Sequence, residues 1–200
     1  MDKIWFWQRI VTPHMAELAA ALARQGSEVT YVAEQPMSAD RAEQGWMVPQ
    51  LPGVRLEFAA TAKSSAMLVA SAPPDSIHIG QGLRGNGLVR HAQSAIKARG
   101  LRQWVVMETV DDAGWRGAIK RLEYRRLFAN GRQHLQGVLA IGYTTPTWVT
   151  ARGMPADRVF PFAYFLRDLD LTTALSPSRP LAGGGLGERA GDSTPDPLSL

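Results

Sequence analysis

Apolar and polar positions fall along the chain in blocks whose period switches between that of a strand and that of a helix. Ile4, Trp5, Phe6 and Trp7 form an apolar run that predicts a strand. After a short polar turn, Pro13 suits the first position of a helix, where its missing N–H costs nothing. Met15, Leu18, Ala19 and Leu22 then recur at helical spacing, and Gly26 supplies a left-handed stop. Val29, Tyr31 and Val32 are β-formers and restart an extended run. Strand, helix and strand in this order make a βαβ unit, whose two strands run parallel.

The alternation continues. Residues 35–52 hold Pro36, Gly45, Pro49 and Pro52 and read as a loop. Residues 54–58 alternate apolar and polar, the mark of a half-buried strand near a sheet edge. A short helix is expected over 64–71, and Pro73-Pro74 closes it. A strand follows at 76–79. The helix expected over 86–99 has Leu88, Val89, Ala92 and Ile96 on one side and Gly100 as its stop. Then come strand 104–107, helix 117–128, strand 138–141, a short helix over 146–152 and a last strand at 159–162. The pattern predicts a Rossmann-like α/β domain over residues 1–168, with a parallel sheet covered by helices on both faces. Residues 169–200 are rich in Gly and Pro and read as a linker or disordered tail.

Composition narrows the chemistry. Apolar residues are 45% and charged residues 20%, as in globular domains. The net charge of +4 is too modest to argue for nucleic acid. There is no cysteine, which excludes a disulfide, a thiolate nucleophile and a Cys-ligated zinc. His14, His78, His91 and His134 show no metal-ligand spacing, so no metal is expected. The N-terminus has no signal-peptide pattern, and no apolar run reaches the roughly 18 residues of a membrane span. The expected location is cytoplasmic, or peripheral to a membrane.

Three stretches carry candidate chemistry. Gly80-Gln81-Gly82-Leu83-Arg84-Gly85 fits G-x-G-x-x-G between a strand and a helix, with Glu108 ending the next strand. Those are the surroundings of a dinucleotide fingerprint, in which glycines let the backbone approach a pyrophosphate and the acid takes ribose hydroxyls. The plainer reading is a glycine loop at the carboxyl edge of the sheet. Glu108-Thr109-Val110-Asp111-Asp112 follows a buried-type strand, where ligands of open α/β sheets bind. Its acids either accept hydrogen bonds from a ligand or cap the next helix. In the third stretch, Arg116, Lys120, Arg121, Arg125, Arg126 and Arg132 stand against a single Glu123, with Trp115, Ile119, Leu122 and Phe128 as the expected apolar side. Such a helix suits an anionic membrane surface, through Arg121, Arg125 and Arg126, or is simply a solvated face beside a core face.

Several segments together resemble a known family. Leu18, Leu22, Gly26, Glu28, Val29 and Thr30 match the helix-to-strand ending that opens the N-terminal domain of GT-B glycosyltransferases of family 4. Asp75-Ser76-Ile77-His78 is similar to that family's D-x-x-H strand. Gly137 to Gly142, Trp148, Gly153 and Arg158 to Phe162 resemble its last N-terminal segment. The family often has a Gly-Gly pair after strand one, whereas the loop here runs Gln8-Arg9-Ile10-Val11-Thr12-Pro13-His14. The resemblance implies an acceptor-binding half of a glycosyltransferase that moves a sugar from a nucleotide-sugar to a glycan or lipid-linked acceptor. It implies acceptor contacts at Arg9, His14, Gly80, Gly82, Glu108 and Asp111. It also implies no cofactor in this chain, because the nucleotide-sugar belongs to a second domain, and hence no activity alone. Two other classes are consistent with the residues themselves: an NAD-type dinucleotide-binding oxidoreductase, and a non-catalytic domain that binds a membrane or a partner.

Overall fold

The computed structural model of the protein describes residues 1–84 and 87–164. They lie within the first of two compact units, Met1–Arg167. Seven strands form one sheet: β1 (Lys3–Gln8), β2 (Glu28–Ala33), β3 (Arg55–Phe58), β4 (Ile77–Gln81), β5 (Arg102–Glu108), β6 (Leu135–Ile141) and β7 (Val159–Phe162). Their order is β3-β2-β1-β4-β5-β6-β7, and every pairing is parallel. The fold is therefore the Rossmann-like α/β architecture expected from the alternation. The tail expected over 169–200 lies outside the described residues, as do Gly85 and the end of the first domain.

The chain winds outward twice from the middle of the sheet. From β1 it passes to β2 and β3 on one side, then returns to β4 beside β1 and continues to β7 on the other. Adjacent strands β1 and β4 thus send their connections in opposite directions, which opens a crevice beyond their carboxyl ends.

Strand alternation sorts side chains onto two faces. Helix α1 (Pro13–Arg24) buries Met15, Ala16 and Ala19 against Ile4, Phe6, Val29, Tyr31 and Ile79. Trp5, Trp7 and Val32 point the other way and meet Val69 of α3 (Ala62–Ser71) and Leu88, Ala92 and Ile96 of α4 (Leu88–Ala98). On that second side, Val105, Met107 and Val138 pack with Tyr124 and Phe128 of α5 (Gly114–Gly131) and Trp148 of α6 (Thr145–Thr150). Thr61 starts α3 with a capping box, its hydroxyl accepting from Ser64 N–H while Thr61 N–H donates back to Ser64 Oγ. The loop expected over 35–52 also holds a short helix, α2 (Ala39–Glu43).

Two expectations are corrected. The strand at 55–58 is an edge strand as read, but it is largely exposed rather than half-buried, because among the described residues no strand pairs beyond it in the sheet. In α5, Trp115, Ile119 and Leu122 do not join Phe128 on the core side. They are exposed, and the buried positions are Gly117, Tyr124 and Phe128. The loop before α5 approaches Gly117 so closely that a Cβ there would overlap the carbonyl of Asp112.

Candidate functional site

A crevice of about 750 Å³ opens at the β1/β4 switch point. Its floor is Gln8 and Arg9 at the end of β1 and Gln81 and Gly82 at the end of β4. One wall is α1, through Thr12, His14 and Met15. At one end stand Ser38, Asp40, Arg41 and Trp46, and at the other Glu108, Tyr124 and Tyr164.

The β1 loop is held rigid by the strand next to it. Tyr31 of β2 is fully buried, accepts from Thr12 N–H at 3.3 Å and donates to Ile10 O at 3.2 Å. Burial pushes its phenol up to about 12, against the lowering effect of the Thr12 bonds. Val11 N–H donates to Pro36 O and Arg9 N–H to Gln81 Oε1, which ties β1 to β4 across the switch point. The loop's amides at Arg9, Val11 and Thr12 are thus committed to the protein.

The glycine stretch is committed as well. Gly80 lies inside β4, and its bare Cα backs onto Gln93 of α4. Gly82 adopts φ of 72°, where a side chain is strained. Its N–H donates to Val106 O at 2.8 Å, and its carbonyl accepts from Gln93 Nε2 at 2.8 Å. The carboxylate of Glu34 lies against Gly87, the N-cap of α4. A pyrophosphate over this loop would lack the Gly82 N–H and meet the Glu34 carboxyl group beside Gly87, so Gly80 and Gly82 do not form a phosphate cradle.

Of the residues singled out in the sequence, Arg9, His14, Gly82 and Glu108 line the crevice. Gly80 and Asp111 do not. Asp111 is exposed and accepts from Ala113 N–H at 3.1 Å, which closes the turn ahead of α5 without capping the helix, since α5 has no side-chain cap. Its neighbour Asp112 pairs with Arg152, whose guanidinium stacks 3.7 Å over Trp148. Arg121 donates to Asp112 O, while Arg125 and Arg126 are exposed on α5, away from the crevice lining.

At the Glu108 end, Tyr164 donates its hydroxyl to Glu108 Oε1 and stacks on His14 with ring centroids 4.3 Å apart. Burial, and then the bond to Glu108 and its charge, push the Tyr164 phenol up to about 12. Two buried atoms on the lining, Gln8 Nε2 and His14 Nδ1, have no hydrogen-bond partner among the described residues. At the other end the Arg41 guanidinium lies 4.4 Å over the Trp46 ring. Arg84 pairs with Glu123 and sits over Tyr124.

Sequence reading placed Gln8 and Gln81 in candidate loops without singling them out, and missed Arg41, Trp46 and Tyr164. The two glutamines had a signal, since each ends an apolar strand at its carboxyl edge. Trp46 and Tyr164 had none, because they reach the crevice from a loop and from beyond the last strand.

Comparison with protein-family models and with curated proteins gives no match. Among solved structures, the chain matches phenylacrylic acid decarboxylase from Aquifex aeolicus at 9% identity, with TM-score 0.38 over 70% of this chain and 80% of that one. It matches serine dehydrogenase from Escherichia coli at 13% identity, with TM-score 0.41 over 81% and 96%. It also matches a short-chain dehydrogenase from Streptomyces avermitilis at 12% identity, with TM-score 0.37 over 87% and 74%. The glycosyltransferase expectation is corrected here: these matches are a decarboxylase and two dehydrogenases, and none is a glycosyltransferase. The segments that suggested it, such as a helix ending in Gly26 before Val29 and Thr30, recur wherever a helix returns to a parallel strand. At such low identity and TM-score, none of these proteins lends its own chemistry to this chain.

Proposed function

We propose that the crevice binds a nucleotide, gripped by side chains rather than by a glycine cradle, and that an NAD-type dinucleotide is the form it takes. The observation that carries this reading is the crevice's position at the β1/β4 switch point, where open parallel sheets take ligands beyond their carboxyl ends. Its volume falls within the range of small-molecule sites. Arg9 brings a cation that no carboxylate of the described residues pairs with. Thr12 does not cap α1 with its side chain, which leaves the first turn open to an anion beside Arg9. A buried polar group left unpaired costs about 1–3 kcal/mol, so a ligand that engages Gln8 Nε2 and His14 Nδ1 recovers that cost. Trp46 offers a planar wall for a base.

A nicotinamide dinucleotide would accept a hydride in its oxidised form or donate one in its reduced form, which makes the reaction class an oxidoreduction. The chain's own part is at the opposite end from Trp46. Tyr164 holds its phenol proton, Glu108 fixes that hydroxyl, and His14 stacks beneath the ring.

Calorimetry with NAD, NADH, NADP, ADP and AMP tests the reading. Saturable binding of NAD or NADH at about 100 μM or tighter, near −5.5 kcal/mol, is expected, weakened about tenfold by Arg9→Ala. No heat from any of them at about 1 mM overturns it. A second reading concerns where the protein works: the outward stripe of α5 favours peripheral attachment to a membrane surface, and no helix among the described residues is long and apolar enough to cross one.

A further inference from the structure

We infer that α5 docks the protein on an anionic bilayer, with Trp115, Ile119 and Leu122 entering the headgroup region and Arg116, Arg125 and Arg126 meeting the lipid charges. This rests on the peripheral reading and adds to it the helix, the residues and the sign of the lipid charge.

The geometry of α5 is inverted relative to an ordinary surface helix. Gly117, Tyr124 and Phe128 face the core. Residues i, i+4 and i+7 share one face of a helix, and on the side away from the core these are Trp115, Ile119 and Leu122, exposed by 73%, 61% and 50%. A soluble surface helix places polar residues there. Single exposed apolar residues are ordinary, but three on one stripe within two turns, headed by a tryptophan, make a patch.

The charge around the patch selects the occupant. Arg126 continues the stripe one turn further on, and Arg116 lies over Trp115, its guanidinium carbon 5.2 Å from the ring centroid. The one acid of α5, Glu123, is already paired with Arg84. Lys120 and Arg121 are spent on the carbonyls of Asp111 and Asp112, where they anchor the start of the helix. That leaves Arg116, Arg125 and Arg126 without a carboxylate partner among the described residues. Tryptophan and aliphatic residues ringed by arginine are what an interfacial helix presents to anionic lipid, and cations there draw on the surface potential.

The test is co-sedimentation of the full chain with vesicles of phosphatidylcholine alone and of phosphatidylcholine with phosphatidylglycerol, across a range of salt. Binding to the anionic vesicles is expected, falling as salt rises. Arg125→Glu with Arg126→Glu should weaken it about 30-fold or more, the factor for two cations at the bilayer surface. Trp115→Ser with Ile119→Ser should also release the protein. All four side chains are exposed, so the thermal melt and the nucleotide heats of these variants should match the parent. Failure to bind any vesicle overturns both this inference and the peripheral reading. Binding that ignores lipid charge, or that survives both double substitutions, overturns the role of α5 and leaves peripheral attachment standing.

Discussion

Trp7 donates its indole N–H to Nδ1 of His78 across 3.0 Å, joining β1 to β4 inside the core. The opposite nitrogen of His78 meets Ser76 Oγ at 2.9 Å, and that hydroxyl gives its own hydrogen to Pro73 O. Ser76 is therefore the acceptor, His78 carries its hydrogen on Nε2, and the neutral ring is fully satisfied. A second proton would have to enter at Nδ1, against the Trp7 N–H.

Burial, reinforced by the Arg99 charge, holds the His78 pKa down at about 4, below the ordinary 6.5. The unfolded chain then binds more protons than the folded one between those values. Stability should be complete above pH 6.5 and fall as pH drops from 6.5 through about 4, by up to roughly 3 kcal/mol. Urea midpoints across this range check it. In His78→Gln the acid slope should flatten; an unchanged slope would assign the acid sensitivity elsewhere.

Tyr31 makes the β1 loop a fixed part of the crevice. Tyr31→Phe removes the hydroxyl between Thr12 N–H and Ile10 O and leaves both unpaired. The expected loss is about 1–3 kcal/mol of stability. Because Arg9 and His14 flank the freed loop, nucleotide heats should weaken too. A melt that drops while affinity stays unchanged would show that the loop is held in place by other contacts.

Two glycines are required by close approach rather than by backbone angle. Gly117→Ala drives a methyl into the backbone of Asp112, which cannot swing away. Gly137→Ala meets the Trp104 ring, which lies across it on the neighbouring strand and rests on Phe160. Overpacking costs about 1–3 kcal/mol, and Gly117→Ala should be the costlier of the two, because a half-buried ring yields where backbone does not. Equal denaturation midpoints for the two variants would refute that ordering.

The fold was legible because its core obeys strand and helix periods. Leu88, Val89, Ala92 and Ile96 were read as one side of a helix, and all four are buried. Pro13 and Gly26 mark the span of α1 for the reasons their backbones supply. The crevice was half legible. Arg9, His14, Gly82 and Glu108 lie at strand ends or at the start of α1, so knowing the strands locates them. Asp111 was misplaced because an acid that closes a turn before a helix and an acid that faces a ligand look alike in sequence. Trp115, Ile119 and Leu122 were grouped with Phe128 on one apolar side because periodicity identifies a stripe but not its direction. The packing of Tyr124 and Phe128 against Val105, Met107 and Val138 shows the direction.

The bond from Tyr164 to Glu108 leads to a prediction about proton holding. Tyr164 is half-exposed, yet burial and the neighbouring carboxylate push its phenol up to about 12. A raised value means that the protonated form is the stabilised one, so the phenol should keep its hydrogen up to the ordinary 10 and begin to lose it only as pH rises towards about 12. Tyr164 then serves the crevice as a hydrogen-bond donor and not as a base near neutral pH. Ultraviolet titration of the phenolate in the parent and in Tyr164→Phe isolates this one tyrosine by difference. Glu108→Gln removes the charge and keeps the shape, so the difference titration in that background should move back towards 10. It should stop short of it, since burial remains the larger cause. The same substitution leaves the tyrosine hydroxyl a neutral amide acceptor in place of a charged one, which weakens the bond that holds it and should weaken nucleotide binding. A phenol that titrates near 10 in the parent, or an unmoved value in Glu108→Gln, would remove the pair from the site.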